Sequence, residues 1–207
     1  MRIYKDKYLS VTSILELKTP FNDKAFRSWA DKMGKDADLI SNTSKILGEK
    51  VSDYIEMRDL LEYSPPVVDK LEEQLFEAVD KFLSIADVID CEFEVVCKDL
   101  NYAGRVDGLI EIEGVQYLAD WKTYGAWNGK PYKRDKKKID SARDQLSLYR
   151  NAYGKDINLA VIIFTNTGEC IVEEVDFNSD IIKWTEDNQD LILKTIQDAQ
   201  LQKDQRK

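Results

Sequence analysis

Three residues of this chain, Asp107, Asp120 and Lys122, have the types and spacing for hydrolytic chemistry, and one absence limits what that chemistry is. No histidine occurs among the 207 residues. Ser-His-Asp and Cys-His nucleophile systems and His-ligated zinc hydrolases are therefore excluded. The three cysteines, Cys91, Cys97 and Cys170, are too few and too scattered for a disulfide framework or a zinc site, and read as buried thiols. Carboxylates, lysine, tyrosine and a hard metal ion remain. Asp120 and Lys122 stand two apart, and residues i and i+2 of a strand project from one face. Glu16–Lys18 and Asp135–Lys137 share that spacing, so the setting of Asp120–Lys122 carries the signal and the tripeptide alone does not.

That setting is a hairpin. Two alternating runs, YAGRVDGLIEI and VQYLADWKT, are separated by Glu113-Gly114, a two-residue turn in which glycine takes φ > 0 readily. Ile112 then opposes Val115, and Asp107 falls opposite Asp120. Carboxylates facing each other across a ladder have Cβ atoms about 4.5–5.5 Å apart and repel. Mg²⁺ or Mn²⁺, which prefer oxygen ligands and keep several waters, would turn the repulsion into a binding site. Such an ion acidifies a bound water and stabilises charge at phosphorus and on the leaving oxygen, while Lys122 orients the water or neutralises developing charge. Phosphodiester hydrolysis is the expected reaction. Arg105, two residues before Asp107, is placed to contact a phosphate or to pair with a carboxylate. Glu92 and Glu94 share a face of the preceding strand, and either one could join the site.

The elements that position these residues follow from periodicity. The first 85 residues read as helical: one helix from Asn22 or Asp23 to Gly34, a second over about 36–61, and a third opened by Pro66 and carrying Leu71, Leu75, Val79 and Phe82. From Asp87 the texture alternates, giving a three-stranded meander at about 88–97, 102–112 and 115–122. A helix over about 139–153 ends at Gly154, INLAVIIFT reads as a buried strand, and CIVEEVDF as another. Asn178 or Ser179 caps a long C-terminal helix. The expected fold is α/β: a central mixed sheet, comprising the antiparallel meander and further strands, flanked by helices. A helical N-terminal region (1–85) packs on a core (86–207), as one compact domain.

Charge is placed unevenly. A net charge of −9 argues against general affinity for nucleic acid, yet Lys130, Lys133, Arg134, Lys136, Lys137 and Lys138 crowd one short run, interleaved with Trp127 and Tyr132, which offer stacking surfaces for unpaired bases. The run reads as a loop between the Asp120–Lys122 strand and the next helix. No apolar run reaches the ~20 residues that cross a bilayer, and the N-terminus has no signal-peptide core. A cytoplasmic protein, of a prokaryote or a phage-infected host, with no membrane partner is expected.

GRVDGLIEIEGVQYLADWKT resembles the core of the RecB-like branch of the PD-(D/E)xK nucleases, in which a G-x-x-D strand precedes a D-x-K strand. QLSLY, with Gln145 and Tyr149, resembles the Q-x-x-x-Y motif that follows it. SVTSIL, the Trp29 region and GEKVSDYIE resemble the N-terminal parts of phage exonucleases and of the mitochondrial genome maintenance exonuclease. The resemblance spans roughly residues 10–165. It implies a restriction-endonuclease-like fold, catalysis by Asp107, Asp120 and Lys122, and a metal held by Asp107, Asp120 and the backbone carbonyl of Trp121. It also implies nucleic-acid contacts from Gln145 and Tyr149. A DNA exonuclease acting on single strands or ends is expected, with nothing implied about protein partners. The family's helical motif usually places a metal-binding histidine where this chain has Ser52; Glu49, Asp53, Glu56 or Ser52 itself would have to substitute. The alternative is a non-catalytic nucleic-acid-binding or assembly protein on the same fold. Members with an iron–sulfur cluster use four cysteines, so none is expected here.

Overall fold

In the computed structural model, which describes residues 2–5, 7–19, 27–28, 30–31, 34–61, 69–124 and 133–205, the chain opens with a small hairpin, β1 (Ile3–Tyr4) and β2 (Tyr8–Ser10), followed by α1 (Val11–Lys18). Ser10 caps α1 by accepting the Ser13 N–H at 3.0 Å. After a 3₁₀ turn at Gly34–Asp36 come α2 (Ala37–Leu61) and α3 (Lys70–Leu83). The meander is β3 (Asp87–Cys97), β4 (Tyr102–Ile112) and β5 (Val115–Tyr124). Then follow α4 (Lys136–Tyr153), β6 (Asn158–Thr165), β7 (Cys170–Val175), α5 (Ser179–Asp187) and α6 (Gln189–Asp204).

Seven strands form one mixed sheet: β5–β6 and β2–β4 are parallel, the other pairs antiparallel. Alternation sorts each strand between two layers. On β6, Leu159, Val161 and Ile163 face a layer made by α1, α4, α5 and α6, with Val11, Ile14, Leu146, Ile181 and Ile192 buried there. Ala160, Ile162 and Phe164 face the opposite layer, where α2 and α3 bury Val51, Ile55, Leu75, Val79 and Phe82. Both faces of β6 are covered, which is why its sequence is apolar without interruption. The fold class is the expected one.

Four local expectations are corrected. The first 85 residues are not wholly helical, because residues 3–10 form the hairpin; its turn, Tyr4–Tyr8, is too short for helical periodicity to exclude. The third helix starts at Lys70, where Asp69 accepts the Leu71 and Glu72 N–H groups at 2.8 and 3.0 Å; Pro66 lies outside the described residues, as does most of 22–33. The C-terminal helix is two, broken at Asn188, whose backbone is non-helical. Lys136–Lys138 are the first turn of α4 and not a loop. The Glu113-Gly114 turn forms as expected, both residues having positive φ of 51° and 79°.

Candidate active site

The site arises where the sheet splits. β3 pairs with β4 from Cys97↔Tyr102 to Asp87↔Glu111 and so occupies one edge of β4 along nearly its whole length. β2 (at Tyr102 and Ala103) and β5 (at Gly108–Ile112) must therefore share the other edge. Residues 104–107 lie between them without a ladder partner on that side, an opening of about 13 Å along the strand. The β4–β5 register runs as anticipated from Ile112↔Val115 to Gly108↔Ala119 and then stops. β5 leaves β4 and continues only with β6, as far as Tyr124↔Thr165.

Asp107 and Asp120 are accordingly not ladder partners, which corrects the expected register at its last step. Instead Asp107 reaches across the opening, and its Oδ2 accepts the Trp121 backbone N–H at 2.8 Å. The N–H and C=O of one extended residue leave by the same edge of the strand, so the Trp121 carbonyl also faces the opening. Gly108 is required here: a Cβ on it would strike the Trp121 indole.

A backbone irregularity aims Asp107. Phe93, Val95, Tyr102 and Val106 belong to the α4-side layer, whereas Cys91, Val88 and Ile110 belong to the α2-side layer. Both β3 and β4 thus change face at Glu92 and Asp107. Glu92 takes φ of 53°, a conformation uncommon for a residue with a side chain, and the β3–β4 register shifts close by, between Val88 and Asp90. Sequence alternation gave no warning of it. Arg105 and Asp107, expected on one face, are separated by this change.

Asp120 is fully buried; its Oδ1 accepts no hydrogen bond among the described residues, and its Oδ2 is met by Lys122 alone. Lys122 Nζ is in ion-pair contact with Oδ2, with 38% of the lysine side chain still exposed. Burial and the nearby Asp120 charge push the Asp107 carboxyl up to about 7, against Lys122 and the Trp121 N–H, which lower it. Burial works to lower the Lys122 pKa, but Asp120 and Asp107 outweigh it and hold the ammonium above its ordinary value. Two carboxylates and one cation thus share a site that is one charge short of neutral. A deeply buried carboxylate with unfilled lone pairs costs free energy unless a cation or donor fills them. The donor set fits Mg²⁺ or Mn²⁺, which bind through one or two carboxylates and complete their shell with water and phosphate oxygens. Among the described residues no group of three or more Asp, Glu, Cys or His side chains is arranged to hold a metal.

On the α2 side lies a cleft of about 580 Å³, lined by Gly48, Glu49, Ser52, Asp53 and Glu56 of α2 and by Glu92, Arg105, Trp121 and Lys122 of the sheet. That volume is within the range of ligand clefts. Helical spacing puts Glu49, Ser52 and Glu56 on this wall, as their candidacy required, but they are not assembled with the two aspartates into a ligand set. Arg105 pairs with Glu92. Burial raises the Glu92 pKa; Arg105 opposes this, and Glu56 and Asp53 add to it. Glu94 turns instead to Lys5, at 2.8 Å.

On the α4 side, Tyr149 is buried and accepts a hydrogen bond from Gln145 Nε2 at 3.1 Å. Its ring lies where a Cβ on Gly104 would be, against the open stretch of β4. Burial and the Asp107 charge raise its pKa. Lys133, Lys136 and Lys137 are exposed at the start of α4. Arg134 is drawn to Glu173 of β7, its Nε at 2.8 Å, and Lys138 lies over the Tyr124 ring at 4.8 Å. Trp127, Lys130 and Tyr132 lie outside the described residues. The N-terminal hairpin, whose Tyr4 adds to the electrostatic environment of Tyr149, was not foreseen. Its signal was the tyrosine pair flanking Lys-Asp-Lys.

No protein-family profile matches the chain, and no curated protein matches it in sequence. Solved structures match in fold. A protein from Eubacterium rectale, provisionally named an exonuclease, superposes with a TM-score of 0.53 at 12% identity, over 95% of this chain and 85% of that one. A phage-related exonuclease from Haemophilus somnus 129PT gives 0.49 at 12% identity, covering 94% and 96%. LHK-Exo in complex with dAMP gives 0.48 at 12%, covering 97% and 92%. At 12% identity the likeness to the Eubacterium rectale protein is one of fold. Among the described residues no helix is long and apolar enough to cross a membrane.

Proposed function

We propose that this chain is a Mg²⁺- or Mn²⁺-dependent deoxyribonuclease, an exonuclease working on single strands or DNA ends. The observation that carries the reading is the convergence, at the opening between β4 and β5, of Asp107, a fully buried Asp120 whose Oδ1 has no donor among the described residues, and Lys122 on its Oδ2. Asp107, Asp120 and the Trp121 carbonyl would hold the ion. When bound, it would supply an acidified water and charge stabilisation for in-line attack on a phosphodiester. Lys122, tethered to Asp120 yet exposed toward the cleft, orients the nucleophile and offsets charge developing on the phosphate. Gln145 and Tyr149 brace the opening from α4 and present a hydroxyl and an amide to the backbone of the strand.

Two further features support a nucleic-acid substrate. The first turn of α4 carries three exposed lysines, Lys136, Lys137 and Lys138; Asp135 already caps its N–H groups, so the ammonium groups and not the helix end are what a phosphate would meet. The exonuclease name of the Eubacterium rectale protein points the same way. Cleavage of end-labelled linear and of circular DNA with Mg²⁺ and Mn²⁺ tests the proposal. Linear DNA should be degraded and circles spared, and Asp120→Ala or Lys122→Ala should abolish cleavage in a folded protein. No cleavage by the folded wild type with either ion would refute it.

The lack of a preassembled three-carboxylate set among the described residues, with Ser52 on the α2 wall, favours a second reading: a non-catalytic nucleic-acid-binding or assembly protein. It requires DNA binding that ignores divalent ions. Calorimetric Mg²⁺ binding that vanishes in Asp107→Ala would exclude it.

A further inference from the structure

The N-terminal hairpin is unexplained by packing alone. Ile3 pairs with Leu9, and both face the α4-side core. Tyr4 and Tyr8, paired with each other, are in the alternate phase and so present the other face of the hairpin, with Tyr4 near enough to Tyr149, beside the open stretch of β4, to act on it electrostatically. Neither tyrosine belongs to either buried cluster among the described residues. Both are part-exposed. The Arg2 guanidinium sits over the Tyr4 ring at 4.9 Å. Lys5 reaches across the sheet to Glu94, which is the cross-strand partner of Arg105, itself a lining residue of the cleft. The Lys5–Glu94 and Arg105–Glu92 ion pairs lie between the hairpin and the rim of the cleft, and the hairpin itself carries Arg2, Tyr4 and Tyr8.

Its chemistry is cationic and aromatic. Arg2, Lys5 and Lys7 face a single acid in the first eight residues, in a chain of net charge −9. Position matters as much. β2 closes the opening at the end opposite β5, so the hairpin borders the place where a phosphate at Asp107 and Asp120 would sit. Flat rings beside cations suit unpaired bases, because every base offers a π-face while duplex bases keep theirs stacked.

Resting on the nuclease reading above, we infer that the face of the β1–β2 hairpin carrying Tyr4, Tyr8 and Arg2 binds single-stranded DNA next to the site, stacking its unpaired bases. The hairpin thereby selects unpaired strands over intact duplex.

The test is binding of short labelled single-stranded and blunt duplex DNA by fluorescence anisotropy, with Ca²⁺ in place of Mg²⁺. Tyr4→Leu and Tyr8→Leu should each weaken single-strand binding about tenfold, the size of one base–aromatic stack. Tyr4→Phe should stay within about twofold of wild type, and duplex binding should change as little. Because leucine could disturb the hairpin, wild-type protein is also photocrosslinked to 5-iodouracil-substituted single strands, with adducts expected on Tyr4 or Tyr8. Unchanged single-strand affinity in both leucine variants, or adducts confined to other elements, overturns the inference. Binding through the hairpin without cleavage by the wild type defeats the nuclease reading alone. Cleavage that is indifferent to Tyr4→Leu and Tyr8→Leu defeats the hairpin alone, and absence of DNA binding defeats both.

Discussion

Replacing Lys122 by methionine, which keeps the length of the stem and removes the charge, probes how the site is held together. Asp120 is 0% exposed and no group other than Lys122 meets its carboxylate among the described residues, so the lysine is its principal compensation. Removing one member of a buried pair typically costs 3–5 kcal/mol, because the other charge is stranded. Here 38% of the Lys122 side chain is exposed and the cleft lets water approach, so about 2–4 kcal/mol is expected. For a chain of this size that is a fall in Tm on the order of 5–15 °C. The measurement is thermal unfolding of Lys122→Met in EDTA at pH 8, repeated with Mg²⁺ and in an Asp120→Asn background. Mg²⁺ should recover much of the loss by taking the ammonium's place beside the carboxylates. Asp120→Asn should also recover it, since no charge is then stranded. A variant as stable as wild type in EDTA, or one whose loss persists in the Asp120→Asn background, would show that Asp120 is compensated in some other way and that the argument for a cation there is unsound.

Other outcomes follow from the same geometry. Asp107 has its pKa raised from 3.8 to about 7 in the fold, so between these values the folded state holds more protons than the unfolded chain. Its contribution is fully present below the lower value and is lost as pH rises through the higher one. Urea unfolding in EDTA should show that decline in wild type and a flatter profile in Asp107→Asn, which keeps an acceptor for Trp121; a wild-type profile that rises instead would contradict it. Gly108→Ala should force the Trp121 indole away and cost about 1–3 kcal/mol, visible as a shifted tryptophan emission and a lower urea midpoint. Replacing both Lys136 and Lys137 by glutamine should weaken DNA binding uniformly across sequences and reduce its salt slope by about two; an unchanged slope would remove the start of α4 from the binding surface.

Much of this protein is determined locally and is legible as sequence. Glu113-Gly114 dictates a tight turn because only a backbone tolerating positive φ closes a two-residue hairpin. That turn fixes the register as far as Gly108↔Ala119, and so brings Asp107 close to Asp120 and Lys122. The apolar run of β6 reports a strand covered on both faces, and Gly154 marks the end of α4 with a φ of 75°. What lies beyond those points is set by groups far apart in the chain. β4 and β5 part after Ala119, and β2, almost a hundred residues earlier, takes the same edge of β4 only at Tyr102 and Ala103, leaving the stretch between open. The change of face at Glu92 and Asp107 is a two-strand event that alternation along either strand cannot reveal. The pairing of Arg134 with Glu173 and the turning of Tyr4 and Tyr8 away from the core are likewise tertiary. Sequence thus named the aspartates and the lysine through local turn geometry and side-chain phase. Only the folded sheet, by splitting along one edge of β4, leaves Asp120 buried with Lys122 as its partner and Asp107 reaching across the opening to Trp121.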